Sequence, residues 1–406
     1  MAGHPSAEAL RTPALRRYTA GQLPSVTCSW AQVVALSWVV VQLDPRALGT
    51  VVALQFLPTL LIGPWFGALA DRHDRRRLLI LAEVGLGLVA AAHAVAAAAG
   101  VLTMPVVYLL ATAWGLINAL DTPARRALVP MLVRPELATS AASLTGPIML
   151  IGMTAGSALG GVLVSTLGVV AAFTINAASF AVDVVLLSTI RVGRSPRVAR
   201  APGQVREGLR YAYRTPTVRR PLLAIALLAT FGFTLPVTLP LLVRLGFDGG
   251  PDLIGTGLTV GMAGSLAGAL ATAARRSTRP PSLAAASAGM TGALLVVAVA
   301  PTVPVAFAAL AGVGFAWSVC IAAVVATLQT ADPAMTGRVM AIFAAVLLGG
   351  TATGGPPAAA LATLAGPRWP FVSGALAAAL ATAIAVSRLR RAVAQLRRET
   401  GPVAAE

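Results

Sequence analysis

Lysine is absent from this chain, and charge of either sign is sparse: only 11% of its 406 residues are charged. A soluble domain holds its surface in water with roughly a quarter of its residues charged, so a water-soluble globule of this size is excluded. There are only two cysteines, Cys28 and Cys320, both inside apolar segments. That argues against a disulfide scaffold or thiolate metal site and reads them as small packing hydrophobes. Three histidines, at 4, 73 and 93, and 14 scattered acids offer no clustered catalytic set, so the chain does not read as an enzyme. A phosphate-cradling G-x-x-x-x-G-K-[ST] loop is missing, and no cofactor or metal is expected. The first dozen residues have no apolar h-region, so no cleaved signal peptide is expected.

What is abundant is apolar: 57% of residues, with mean hydropathy +0.81. A bilayer removes the need for a charged skin, and each helical crossing needs roughly 20 apolar residues. Segments of that kind lie at 19–42, 47–70, 78–99, 104–121, 139–165, 169–190, 221–243, 253–273, 282–300, 303–328, 338–363 and 369–388. The expected fold class is therefore an all-α membrane protein with twelve transmembrane helices. Pro147, Pro236, Pro240, Pro356 and Pro357 mark expected bends or breaks.

The arginines give sidedness. With the N-terminus inside, 28 of them fall on cytoplasmic segments, and only Arg46, Arg244 and Arg368 fall outside. A missed span would invert every later loop, so this asymmetry supports the count and places both termini in the cytoplasm. It also argues against nucleic acid as the partner of a +17 chain, since the basic charge faces anionic lipid. The all-arginine usage itself reads as a coding bias.

The chain divides into residues 1–190, a polar Arg-rich cytoplasmic linker at 191–220, and residues 221–406 with a short basic tail. An internal repeat supports two pseudo-symmetric six-helix halves. Gly67-Ala68-Leu69-Ala70 recurs as Gly268-Ala269-Leu270-Ala271, Ala113-Trp114 as Ala316-Trp317, and Arg16-Arg17 as Arg219-Arg220. Two parallel six-helix halves are a transporter plan with the substrate site between them.

Loop 2–3 reads Gly67-Ala-Leu-Ala-Asp71-Arg72-His73-Asp74-Arg75-Arg76-Arg77. Gly67 permits close helix contact, Asp71 can accept hydrogen bonds from a neighbouring helix N-terminus, and the arginines can pair with acids on adjacent helix ends. This makes either a latch or a plain positive-inside loop. The sequence resembles the major facilitator superfamily, whose signature G-x-L-a-D-r-x-G-r-k/r it matches except at Asp74, where the family has Gly. The resemblance implies that Asp71, Arg72 and Arg75 stabilise an outward-open state. Arg76, Asp121 and Arg338 join them as candidate gating residues.

The fifth segment carries Gly152-x-x-x-Gly156-Ser157-x-x-Gly160-Gly161. Glycines four apart share one helix face, a small-x-x-x-small packing pattern. The spacing also resembles the family's exporter signature, with Ser157 in place of Pro. Thr122-Pro123 reads as an N-cap and first helical residue, which frees Asp121 to face the loop 2–3 arginines. Together with Gly337-Arg338, these features resemble the enterobactin-exporter and macrolide-efflux branch, which implies export of a small amphipathic molecule.

An ionisable group at membrane depth is a functional candidate, which singles out Glu83 and Asp183 as proton carriers, with a polar contact between helices as the plainer reading. The family's proton-linked arginine of the fourth span has no counterpart in this reading. The resemblance implies a neutral, aromatic substrate cavity lined by Gln32, Trp38, Trp114, Asn118, Phe231, Phe233 and Trp317. The expectation is a monomeric plasma-membrane exporter running by proton antiport. An importer or uniporter of the same fold, and a non-transporting sensor or membrane enzyme, are the rivals.

Overall fold

The computed structural model describes residues 5–192, 204–275 and 282–399. A helix underlies each of the twelve expected segments, and no strand occurs among the described residues. The spans are Pro13–Leu43, Leu48–Arg72, Arg75–Ala98, Met104–Leu128, two within Ala138–Thr189, one broken span from Pro216 to Gly246, then Pro251–Ala273, Leu283–Val299, Val303–Leu328, Pro333–Leu364 and Trp369–Glu399. Local signals set their ends. Asp74 caps the third span by accepting from the Arg77 amide at 3.1 Å, which gives the residue at the family's glycine position a structural task. Asp332 does the same for the eleventh, from the Ala334 amide at 2.9 Å.

The fifth and sixth spans run on without a loop. Gly168, at φ 79° and ψ 176°, is the one non-helical residue between Ala138 and Thr189, a conformation that glycine adopts without steric cost. The prolines divide into two classes. In the seventh span the helix gives way at Leu228–Gly232, resumes at Leu235–Leu241 around Pro236 and Pro240, and loosens again at Leu242–Gly246. Pro147, Pro356 and Pro357 instead lie inside continuous helix. No break occurs at these three, and a proline inside a membrane helix is tolerated where neighbouring groups serve the freed carbonyl.

The fourth span corrects the sequence reading more deeply. Its helix continues from Met104 to Leu128 with Pro123 inside it, so Thr122-Pro123 does not start a new helix. The linker is helical over Gln204–Arg214, and the seventh span already begins at Pro216.

Glycines bring the helices together in the same way in both repeats. In the first six spans, Gly152, Gly156 and Gly160 lie on the first span. A Cβ would come within 2.6 Å of Val26 Cγ1, 2.8 Å of Trp30 Cβ and 2.7 Å of Ala31 Cα respectively. In the second six, Gly350 and Gly354 lie on Ala229 and Thr230 of the seventh span in the corresponding way. Two further crossings join the repeats to each other. Gly49 of the second span meets Gly355 and Pro356 of the eleventh, and Gly161 of the fifth meets Gly255 of the eighth, where a Cβ on Gly255 would sit 2.5 Å from the Gly161 Cα. Both crossings lie toward the Arg-poor ends of the spans. Toward the Arg-rich end, Gly63, Gly67, Gly146 and Gly337 have nothing within 4 Å of where a side chain would begin. The close contact expected of Gly67 is therefore not made in this conformation.

Candidate functional site

The fourth-span helix places Asp121 and Arg125 four residues apart, on one face. Arg125 Nε and Nη2 donate to the Asp121 carboxylate at 3.1 and 2.9 Å. Three other spans converge on the same guanidinium. The third brings Glu83, which accepts from Arg125 Nη2. The first brings Gln22, whose side-chain oxygen accepts from Nη1, and Tyr18, whose hydroxyl oxygen lies 3.5 Å from Nη1. Tyr18 also donates to Gln22, and its ring lies under the guanidinium with the centroid at 5.9 Å. The sixth brings Asp183, with Oδ2 3.8 Å from Nη1.

This cluster is buried. Glu83 is 1% exposed, Asp183 0%, Tyr18 2% and Arg125 8%. Gly21 makes room for Asp183, whose carboxylate occupies the space that a side chain on the first span would fill. One cation faces three carboxyl groups. Glu83 Oε2 and both Asp183 oxygens receive no hydrogen bond from a donor, and Glu83 and Asp183 are neighbours. Unpaired charge at this depth is costly, and the cluster holds more acceptor oxygens than its single cation serves.

The two acids singled out as proton carriers thus meet at one arginine. Arg125, one of the 28 arginines on the cytoplasmic side, is not a loop charge but a buried charge of the fourth span. Asp121 bonds Arg125 of its own helix, not the loop 2–3 arginines. The signal was the Asp-x-x-x-Arg spacing of 121–125, hidden by reading Pro123 as a helix start. Tyr18 and Gln22 carried no signal of their own.

The other expected residues are dispersed. Arg75 donates to the Ala127 carbonyl at 3.4 Å and contacts Met131 Sδ at 3.1 Å. Arg76 donates to the Leu187 carbonyl at 2.8 Å and to the Ser188 carbonyl. Both tie loop 2–3 to helix ends of the same half. Arg72 is exposed at the end of its helix, and the Asp71 side chain lies outside the described residues. Arg338 pairs with Glu207 of the linker helix at 2.8 Å.

Among the aromatics, Phe233 stacks on Trp317 with centroids 4.7 Å apart and planes within 6°, where the seventh span breaks. Trp114 meets Phe56 edge-on at 6.2 Å. Trp38 and Asn118 are half-buried and Phe231 is 40% exposed. Gln32 is 5% exposed and accepts from Asn176 Nδ2 of the sixth span at 2.7 Å. Its side-chain oxygen is thus engaged by a buried donor from another span.

Comparison with known proteins adds to this geometry. A family model described as transmembrane secretion effector matches residues 6–400. The staphyloferrin A transporter of Staphylococcus aureus (strain NCTC 8325 / PS 47) is 27% identical over 57% of this chain, a match that spans 60% of that relative's length. The multidrug efflux pump Tap of Mycolicibacterium fortuitum is 28% identical over 87% of this chain and 90% of its own. Among solved structures, a bacterial homologue of the human lysosomal transporter Spinster, in an inward-facing and occupied conformation, superposes with a TM-score of 0.73. It is 16% identical and the superposition covers 94% of this chain and 97% of that one.

Proposed function

The chain belongs to the transmembrane secretion effector family of the major facilitator superfamily, and we propose that it exports a small amphipathic molecule (a drug, siderophore or other natural product) in exchange for protons. It is a multi-pass membrane transporter. The arginine bias supports placing its Arg-rich end and both termini in the cytoplasm of a plasma-membrane protein. The efflux role in the name of the Mycolicibacterium fortuitum relative favours export.

The observation that carries proton antiport is the surplus of acceptors around Arg125. A proton shared by Glu83 and Asp183 would occupy oxygens that no donor serves and would reduce the excess negative charge. Its loss would draw Arg125 more strongly toward these acids and tighten the first, third, fourth and sixth spans on one another. Motion between halves would pivot on the two glycine crossings at the Arg-poor end. In this reading Gly67, Asp71, Arg72, Arg75, Arg76 and Arg338 form the latch that closes the Arg-rich end, and Phe233, Trp317, Trp114, Trp38 and Asn118 face the path of the substrate. One inward proton supplies about 2.3 kcal/mol per 100 mV of potential and roughly 1.4 kcal/mol per pH unit, enough for a useful gradient of a neutral substrate.

The test is proton release from energised inverted vesicles on adding members of a panel of amphipathic compounds. Wild type is expected to release protons with one of them. Asp183→Asn or Glu83→Gln is expected to lose most of that release while still exchanging labelled compound. Compound movement with no proton signal in wild type would refute antiport.

A further inference from the structure

We propose that the linker helix Gln204–Arg214 carries an anionic-phospholipid site on its outer face, which anchors the Arg-rich end of the eleventh span to the membrane surface. The inner face is already occupied. Gly208 lies against Arg338, with a Cβ there 3.1 Å from the Arg338 Cβ. Ala212 is 6% exposed. The Tyr211 hydroxyl accepts from the Asp332 amide at 3.3 Å, and Glu207 pairs with Arg338 at 2.8 Å. These contacts bolt the helix to the first turns of the eleventh span.

Successive helical residues turn by about 100°, which gathers the remaining side chains onto the opposite arc: Arg206, Leu209, Arg210, Tyr213 and Arg214, all exposed. Leu209 is 53% and Tyr213 73% exposed. This face holds three arginines and no acid, with one apolar and one aromatic side chain between them. Cations interleaved with such side chains fit an interface where headgroups meet acyl chains. The helix height agrees, because the seventh span starts at Pro216, two residues on. From that span Arg219 reaches back over the Tyr213 ring at 5.7 Å and extends the cationic stripe to the bilayer boundary. The fitting occupant is a phospholipid with a net negative headgroup.

The test places a fluorophore at Leu209→Cys in the purified full chain. The native Cys28 and Cys320 are buried and do not compete for the label. The protein is reconstituted in phosphatidylcholine vesicles containing phosphatidylglycerol, with a spin label on one lipid or the other. Labelled phosphatidylglycerol is expected to quench far more strongly than labelled phosphatidylcholine. Replacing Arg206, Arg210 and Arg214 with Gln should weaken that preference about fivefold per arginine, or on the order of 100-fold in all. Lys replacements should keep most of it. A control neutralising the exposed Arg11, Arg16 and Arg77 should leave it intact. Quenching equal for both lipids, quenching by neither, or a preference unchanged in the Gln variant would overturn the proposal. None of these readouts depends on transport, so antiport and the lipid site stand or fall separately.

Discussion

The two six-helix repeats use the same helix crossings but different interiors. Gly152 and Gly156 seat the fifth span on the first, and Gly350 and Gly354 seat the eleventh on the seventh. The first repeat then buries Glu83, Asp121, Arg125 and Asp183 at its Arg-rich end. Among the described residues of the second repeat, the buried polar side chains are Thr234, Thr238, Ser265 and Ser287, none of them charged. Aligned on Ala113-Trp114 and Ala316-Trp317, the counterparts of Asp121 and Arg125 are Val324 and Leu328, both fully buried. The packing scaffold is thus duplicated, while the buried charge among the described residues belongs to one copy. Small residues at crossings serve any bundle, whereas a buried cation is tolerated only with its partners in place.

The sharpest way to break this difference is to make the first repeat resemble the second. Arg125→Leu strips the cation from three buried carboxyls. It is expected to cost about 3–5 kcal/mol and to abolish transport, seen as a lower unfolding temperature in detergent and loss of substrate exchange. The converse, Leu328→Arg, puts an unpaired cation among Val324, Val339 and Phe343 and should be destabilising to a similar degree. Adding Val324→Asp should recover part of that loss, because the pair restores the four-residue spacing found at 121 and 125. A double variant no better than the single would show that the site needs the acids of the third and sixth spans. Next, Gly156→Leu and Gly354→Leu should each cost roughly 1–3 kcal/mol by overpacking. Similar losses in thermal stability would confirm the shared scaffold, and very different ones would break the analogy. The smallest effect is expected of Phe233→Leu, which keeps most of the apolar area but removes the stack on Trp317, worth about 0.5–1.5 kcal/mol beyond area burial. A larger change in substrate affinity than in stability there would mark the pair as part of the transport path.

Number and placement of the spans were legible because they are properties of one dimension. Each crossing is a run of apolar residues, and the glycines of the fifth span advertise their face by spacing alone. The same one-dimensional view misplaced Arg125 and Asp121, since Pro123 looks like a helix start wherever the neighbours that support a continuing helix are unseen. Nor could it show that the side chain of Gln32 is held by a buried amide from another span.

The sequence by itself determined an all-helical membrane protein, its major facilitator resemblance and the two acids worth attention. Only the tertiary structure decided that these acids share one guanidinium with Asp121, Tyr18 and Gln22, and that Glu207 of the linker holds Arg338. Hydropathy acts on each helix separately through lipid, so it can be read along the chain. Neutralising a buried charge requires groups from several helices at once, and their distances exist only after the helices pack.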